Sequence, residues 1–295
     1  MISVSKSEKS GEASTRTPHS GFSSRKCFSR GVSQRTAKLG LERRFSCRLS
    51  RWRSTGRTIA GFFAEPVMGA GGVIPPARGY FQAIQPILRK HGIPLISDEV
   101  ICGFGRTGQT WGCETYDFIP DAIISSKNLT AGFFPMGAVI LGPDLAGRVE
   151  AAVEAIEEFP HGFTASGHPV GCAIALKAID VVMNEGLAEN VNRLAPRFEE
   201  NLRRLAEKPN IGEYRGVGFM WALEAVRDKP TKTPFDAKLS VSERIANTCT
   251  DLGLICRPLG QSVVLCPPFI LTEAQMDEMF GKLEQALDKV FAEVA

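Results

Sequence analysis

The chain has 295 residues, a formal net charge of +3, 43% hydrophobic and 23% charged side chains. This is ordinary globular composition, and no run nears the ~20 apolar residues that a membrane span requires. Fourteen Lys and Arg against three acids fall in residues 1–57, so the rest carries a net −8, which argues against nucleic-acid binding by the body of the chain.

Residues 1–57 are rich in Ser, Arg and Lys, with few aliphatics and no sustained period of 2 or 3.6. Such a segment is expected to be disordered. Three readings compete for it: a transit peptide, a basic arm for nucleic acid, or sequence from a misread start or shifted frame. From Thr58 the pattern is that of an α/β protein. IAGFFAEPV (59–67) reads as a buried strand ending in Glu65-Pro66, followed by a Gly/Pro loop. YFQAIQPILRKHG (80–92) has helical apolar spacing and a terminal glycine. PLISDEV (94–100), DAIISSK (121–127) and AVILG (138–142) read as further strands. Short apolar runs alternating with a helix predict a mainly parallel sheet with helices on its faces.

Beyond Gly167 the pattern changes. Residues 168–186 form a long apolar-striped helix and 187–208 an amphipathic one. A strand-like stretch (214–226), a helix (241–253), strands at 254–258 and 262–268, and a final helix (272–294) follow. Thr272 with Gln275 makes a capping box at the start of that helix. The predicted organisation is a basic segment (1–57), part of a large cofactor-binding domain (58–185) and a small α+β domain (186–295).

Eight cysteines are scattered without a CxxC, and four histidines lack paired spacing. Reduced thiols in the cytoplasm and no metal site are the expectation, with a mitochondrial location if the basic segment is a transit peptide.

Glu65, Asp98 and Lys127 each end a short apolar run of the same predicted sheet. They should meet at its carboxyl edge, where such sheets bind ligands. A lysine beside an aspartate there is either a partly buried ion pair or a nucleophilic amine that condenses with carbonyls. The irregular loop Asn128–Gly137 after Lys127 suits a cofactor site better than a surface pair. PLISDEV also matches the apolar strand of a P-loop ATPase, but no GxxxxGK[ST] occurs, and GAGG (69–72) lacks the GxGxxG context of a dinucleotide site.

SDEVICGFGRTG (97–108), PDAIISSKNLTAGFFPMGAV (120–139), EPVMGAGGVIPP (65–76) and HGFTASGHPVGCAIAL (161–176) together resemble the class III aminotransferases, the ω-transaminase group. The similarity runs from about Thr58 to Ala295, roughly four-fifths of the chain. It implies a fold type I large domain, pyridoxal 5'-phosphate as cofactor, an amino donor and a keto-acid acceptor as substrates, and a homodimer. It implies that Lys127 carries the cofactor covalently and moves a proton between substrate and cofactor. Asp98 would pair with the pyridinium nitrogen, which keeps the ring an electron sink. Val100, two residues on from Asp98, would pack on the ring, and Thr164 would donate to the phosphate across the dimer interface. Arg257 would bind substrate carboxylates, and Glu65 would pair with Arg257 when none is bound. Taken singly, Asp98 could cap a loop, Val100 could be core, Thr164 an ordinary loop residue and Arg257 a surface charge. Glu99 is read as structural.

Members of that family begin well upstream of the counterpart of Thr58. The phosphate-cradling loop and the aromatic that stacks on the other ring face have no counterpart in residues 1–57. The expectation is a C-terminal portion joined to unrelated sequence, an impaired transaminase. The alternative is an inactive fragment that binds cofactor weakly or offers only a dimer surface.

Overall fold

The computed structural model describes residues 2–5, 44–47, 49, 58–159 and 161–294. The first sheet contains β1 (Ile2–Ser5), β2 (Thr58–Ala64), β3 (Leu95–Asp98), β4 (Ala122–Ser125) and β5 (Ala138–Leu141), in that spatial order. β2, β3 and β4 pair in parallel, while β1 and β5 lie antiparallel at the two edges. The parallel character expected from the short apolar runs thus holds at the centre only, and the sheet is mixed. β5 can pair antiparallel because it returns through the Lys127 loop without a crossover helix.

Between these strands run α1 (Tyr80–Lys90) and the one-turn α2 (Gly112–Thr115); α3 (Pro143–Ile156) follows β5. α1 buries Phe81, Ile84 and Leu88 on one face, the spacing of an amphipathic helix. They pack with Phe62 and Leu95 of the sheet, and the Phe81 ring stacks on Phe118 at 3.8 Å. Leu49 belongs to this core, and Phe45 meets Phe62 edge-on at 5.5 Å. Within residues 1–57, β1 extends the sheet, and an apolar pair four residues apart on a helical turn, Phe45 and Leu49, packs beneath it. The remainder of that segment lies outside the described residues.

α3 was not apparent from periodicity, and it buries no side chain. Its neighbour β5 leaves Val139 65% exposed, with Ile140 and Leu141 also open.

α4 (Pro169–Asn184) leads through Gly186, at φ +65°, into α5 (Leu187–Leu205). The second sheet follows, with β6 (Ile211–Val217), β7 (Met220–Ala225), β8 (Arg257–Leu259) and β9 (Ser262–Leu265) in the order β6-β7-β9-β8, all antiparallel. α6 (Val241–Asp251) and α7 (Glu273–Val294) complete the fold. The single strand expected over 214–226 is a hairpin, turned at Gly218-Phe219. Its β7 arm is apolar on both faces, which hides the alternation that marks a half-buried strand.

That two-sidedness joins the lobes. Trp221, Leu223 and Ala225 face α5 and α7, with Val263 and Leu265 beside them. Met220 and Ala222 point the other way, with Val264, onto Val67, Val73 and Cys102 of the first lobe. The period of two along a strand sends alternate residues to two cores. The capping box of α7 forms as expected: Gln275 N–H donates to Thr272 Oγ1 at 3.3 Å, and Thr272 N–H donates to Gln275 Oε1 at 3.0 Å. No described helix is long and apolar enough to cross a membrane, and no described cluster of His, Cys, Asp and Glu could hold a metal.

Candidate active site

Parallel register carries three predicted residues to one edge. Ala64 lies opposite Ser97 and Asp98 opposite Ile124. Glu65, one step past Ala64, therefore stands beside Asp98, and Lys127 opens the turn just past β4. Burial raises the Glu65 carboxyl above its ordinary range. Gly69 N–H, donating at 2.9 Å, lowers it; Asp98 raises it further and Lys127 lowers it. The two acids and the lysine thus lie within electrostatic reach of one another.

β3 stops at Asp98, and Val100 sits in the following turn. The strand expected over 94–100 therefore ends two residues before Val100. Val100 N–H donates to Asp98 Oδ1 at 3.2 Å instead, which aligns the carboxylate. No other hydrogen bond to that carboxylate occurs among the described residues, so most of its acceptor capacity remains open. Glu99 points the opposite way and is buried. It accepts from Gly112 N–H and Cys113 N–H at 2.8 Å and from Ser97 Oγ at 3.0 Å. Its structural reading is correct: it caps α2 under the site.

Lys127 is exposed and has φ +46°. A non-glycine residue in that region stores about 1–3 kcal/mol and needs a rigid surround. Ser126 Oγ, donating to Met136 O at 2.8 Å, and Thr130 Oγ1, donating to Phe134 O at 2.6 Å, close the loop around it. Ser125, two residues earlier, carries a buried hydroxyl with no partner among the described residues.

The second lobe contributes Arg257, at the exposed start of β8, and Cys266, just beyond β9. Surrounding protein raises the Cys266 thiol, while Arg106, Lys127 and Arg257 pull it down. Arg257 and Lys127 therefore both lie within electrostatic reach of Cys266, from opposite lobes. No ion pair joins Glu65 to Arg257 among the described residues. Thr164 lies in an exposed turn before α4, and none of the polar contacts just described involves it.

A residue that motif reading left without a role holds the lobes together. The Arg106 guanidinium donates to Pro267 O at 2.6 Å and Phe219 O at 3.2 Å, and stacks 4.4 Å over the Phe269 ring. Phe219 N–H donates back to Arg106 O at 3.1 Å. Desolvation lowers the Arg106 pKa. Its place in a glycine-rich loop was visible in the sequence; its partners, more than 100 residues away, were not.

The family model for "Aminotransferase class-III" matches residues 12–287, most of the chain. The chain belongs to the class III aminotransferases. The match opens inside the basic segment, residues 1–57. This aminotransferase chain is 41% identical over 230 residues to a chloroplastic gamma aminobutyrate transaminase 3 of Solanum lycopersicum, covering 78% of the chain and 44% of that relative. Among solved structures, an aminotransferase from Vibrio fluvialis in its PMP-bound form superposes with a TM-score of 0.87 at 80% identity. An ω-aminotransferase from Paracoccus denitrificans superposes with the same TM-score at 82% identity. Each comparison covers 91% of this chain and 59% of the other. The chain spans less than half the length of the tomato relative and about three-fifths of these two structures.

Proposed function

We propose that this chain holds the residues of an ω-transaminase that bind the cofactor's reactive end, and that it acts by amino-group transfer from an ω-amino acid or amine to a keto acid. The observation that carries the reading is the meeting of Glu65, Asp98 and Lys127 at the carboxyl edge of parallel strands. It is supported by the family and by structures of ω-transaminases at about 80% identity.

The donor set suits pyridoxal 5'-phosphate. Asp98 offers an aligned carboxylate with free acceptor capacity to a protonated ring nitrogen. Lys127 offers an exposed amine to an aldehyde, and the turn that holds it is braced on both sides. When bound, the cofactor supplies the electron sink that lets a substrate carbon lose a proton. The chain's own work is then to orient and to move that proton. Lys127 Nζ, free of ion pairs among the described residues, takes the proton from substrate carbon and would pass it on to the cofactor side. Asp98 holds the opposite end of the ring system by charge. Val100 packs beside it from the turn, and Thr164 donates to the phosphate from a second copy in a homodimer. The apolar face of β5 and α3 supports such an assembly. Arg257 takes a substrate carboxylate, and Glu65 offers Arg257 an anion when the substrate has none.

A second reading is cofactor binding without turnover, favoured by that same exposed apolar face. One experiment addresses both. Purified chain and Lys127→Ala are mixed with pyridoxal phosphate, freed of excess, and their visible spectra recorded. A band in the wild type alone supports the site, and its bleaching by an amine supports transfer. An unbleached band favours binding only, and no lysine-dependent band overturns the proposal for this chain.

A further inference from the structure

A loop of the first lobe is clasped by an arginine of the second. The loop leaves β2 at Glu65, and Gly69 N–H donates back to Glu65 Oε2 at 2.9 Å. Gly72 N–H and Val73 N–H both donate to Gly69 O, at 3.1 and 3.0 Å. Met68 and Ile74 exchange backbone hydrogen bonds at 3.1 and 2.9 Å and close the loop. Val73 is β-branched and has φ +50°, a conformation that its surroundings must hold. It is buried in the cluster that contains Met220, Ala222 and Val264 of the second lobe. Residues 65–74 thus form one stiff unit.

Arg215, on β6, reaches this unit. Its Nε donates to Gly72 O at 2.8 Å, and a β-carbon at Gly72 would lie 3.3 Å from its Nη2. The rest of the fork stays in its own sheet. Nη1 donates to Glu224 at 2.6 Å and to Glu213 at 3.0 Å, and Nη2 donates to Ser262 Oγ at 3.1 Å. Ser262 opens β9, whose Val264 lies opposite Arg257 of β8. One guanidinium therefore touches both the loop that holds Glu65 and the strand pair that carries Arg257. Apolar burial of Val73 is non-directional, whereas a hydrogen bond fixes distance and angle.

We propose that Arg215 is a positioning residue that sets the Glu65 carboxylate relative to Arg257, and with it the choice between substrates with and without a carboxylate. The inference rests on the roles proposed above for Glu65 and Arg257. A displaced Glu65 leaves Arg257 without its internal anion. A substrate lacking a carboxylate then faces an uncompensated cation, while a keto acid brings its own anion.

Arg215→Lys tests this. Lysine keeps a positive charge beside Glu213 and Glu224, but a single Nζ cannot also span Gly72 O and Ser262 Oγ. Amide hydrogen exchange at residues 69–73, measured without cofactor, should quicken about three- to tenfold, the loss of one hydrogen bond. The amides of α5 and α7 should keep their rates. With pyridoxal phosphate bound, the KM for benzylamine should rise severalfold and the KM for pyruvate should not. In an Arg257→Ala background the substitution should no longer move the benzylamine KM. Unchanged exchange at 69–73, or exchange that quickens throughout the second lobe, would overturn the proposal. So would KM values that rise together with or without Arg257. If the wild type turns over neither substrate, the transamination reading fails, and the exchange comparison alone decides whether Arg215 positions the loop.

Discussion

Asp98 and Glu99 are adjacent carboxylates with opposite environments. Among the described residues the Asp98 carboxylate takes one hydrogen bond, from Val100 N–H, at the carboxyl edge of the sheet. Glu99 is 1% exposed and takes three. The last step of a strand sends one to the site and the other into the scaffold.

Glu99 should therefore govern stability. Burial raises its pKa despite the three donors. A raised folded-state pKa gives stability that is fully present below the ordinary carboxylate range and is lost as pH rises through the raised value. Glu99→Gln removes that decline. It also sets an amide N–H2 against one of the donors from Gly112, Cys113 or Ser97, at a cost of about 1–3 kcal/mol. Urea unfolding across pH measures both. A variant as stable as wild type at every pH would remove Glu99 from this role.

Asp98→Asn should spare the fold, because the amide oxygen still accepts from Val100 N–H. Cofactor affinity should fall about ten- to a hundredfold, the effect of losing a charged hydrogen bond worth about 1.5–3 kcal/mol. Titration with pyridoxal phosphate alongside a thermal melt checks it. Equal affinity in both proteins would rule out the ring-nitrogen role.

Arg257→Ala should raise the KM for a keto acid roughly ten- to a hundredfold, the same order of loss for a charged contact. The KM for an uncharged amine should hardly move. A matching loss for both substrates would show that Arg257 does not read the carboxylate.

The hairpin tip tolerates only glycine at residue 218. Gly218 has φ +56°, and a β-carbon there would lie 2.5 Å from Arg106 O. Gly218→Ala combines left-handed strain of ~1–2 kcal/mol with an overpacking cost of ~1–3 kcal/mol. The unfolding midpoint should drop sharply, and the lobes should separate at Arg106. A melt indistinguishable from wild type would contradict the tight docking of the hairpin.

Two arginine ion-pair groups should differ in worth. Arg197 of α5 meets Glu273 and Asp277 of α7 at the surface. Exposed pairs contribute about 0.2–1 kcal/mol and fade in salt. Arg215 is 10% exposed and bonds Glu213, Glu224, Ser262 Oγ and Gly72 O. Removing it strips a cation from partly buried carboxylates, a loss of about 3–5 kcal/mol. Chemical denaturation of Arg197→Ala and Arg215→Ala should separate them clearly. Similar losses would mean that burial does not set their worth.

Sequence alone determined the local features. Short apolar runs ended by Glu65, Asp98 and near Lys127 located strands and their carboxyl ends, because burial on both faces writes continuous hydrophobicity into a strand. The capping box at Thr272 and the helices on either side of Gly186 were legible because their interactions span four residues or fewer. The tertiary structure decided what depends on contacts distant in sequence. It turned 214–226 into a hairpin between two cores, and it ended β3 at Asp98 so that Val100 fell into a turn. It also brought Arg106 to Phe219 and Pro267, and Arg257 and Lys127 within electrostatic reach of Cys266. No periodicity encodes those meetings: they follow from sheet register and lobe closure, which act between residues that only the folded chain makes neighbours.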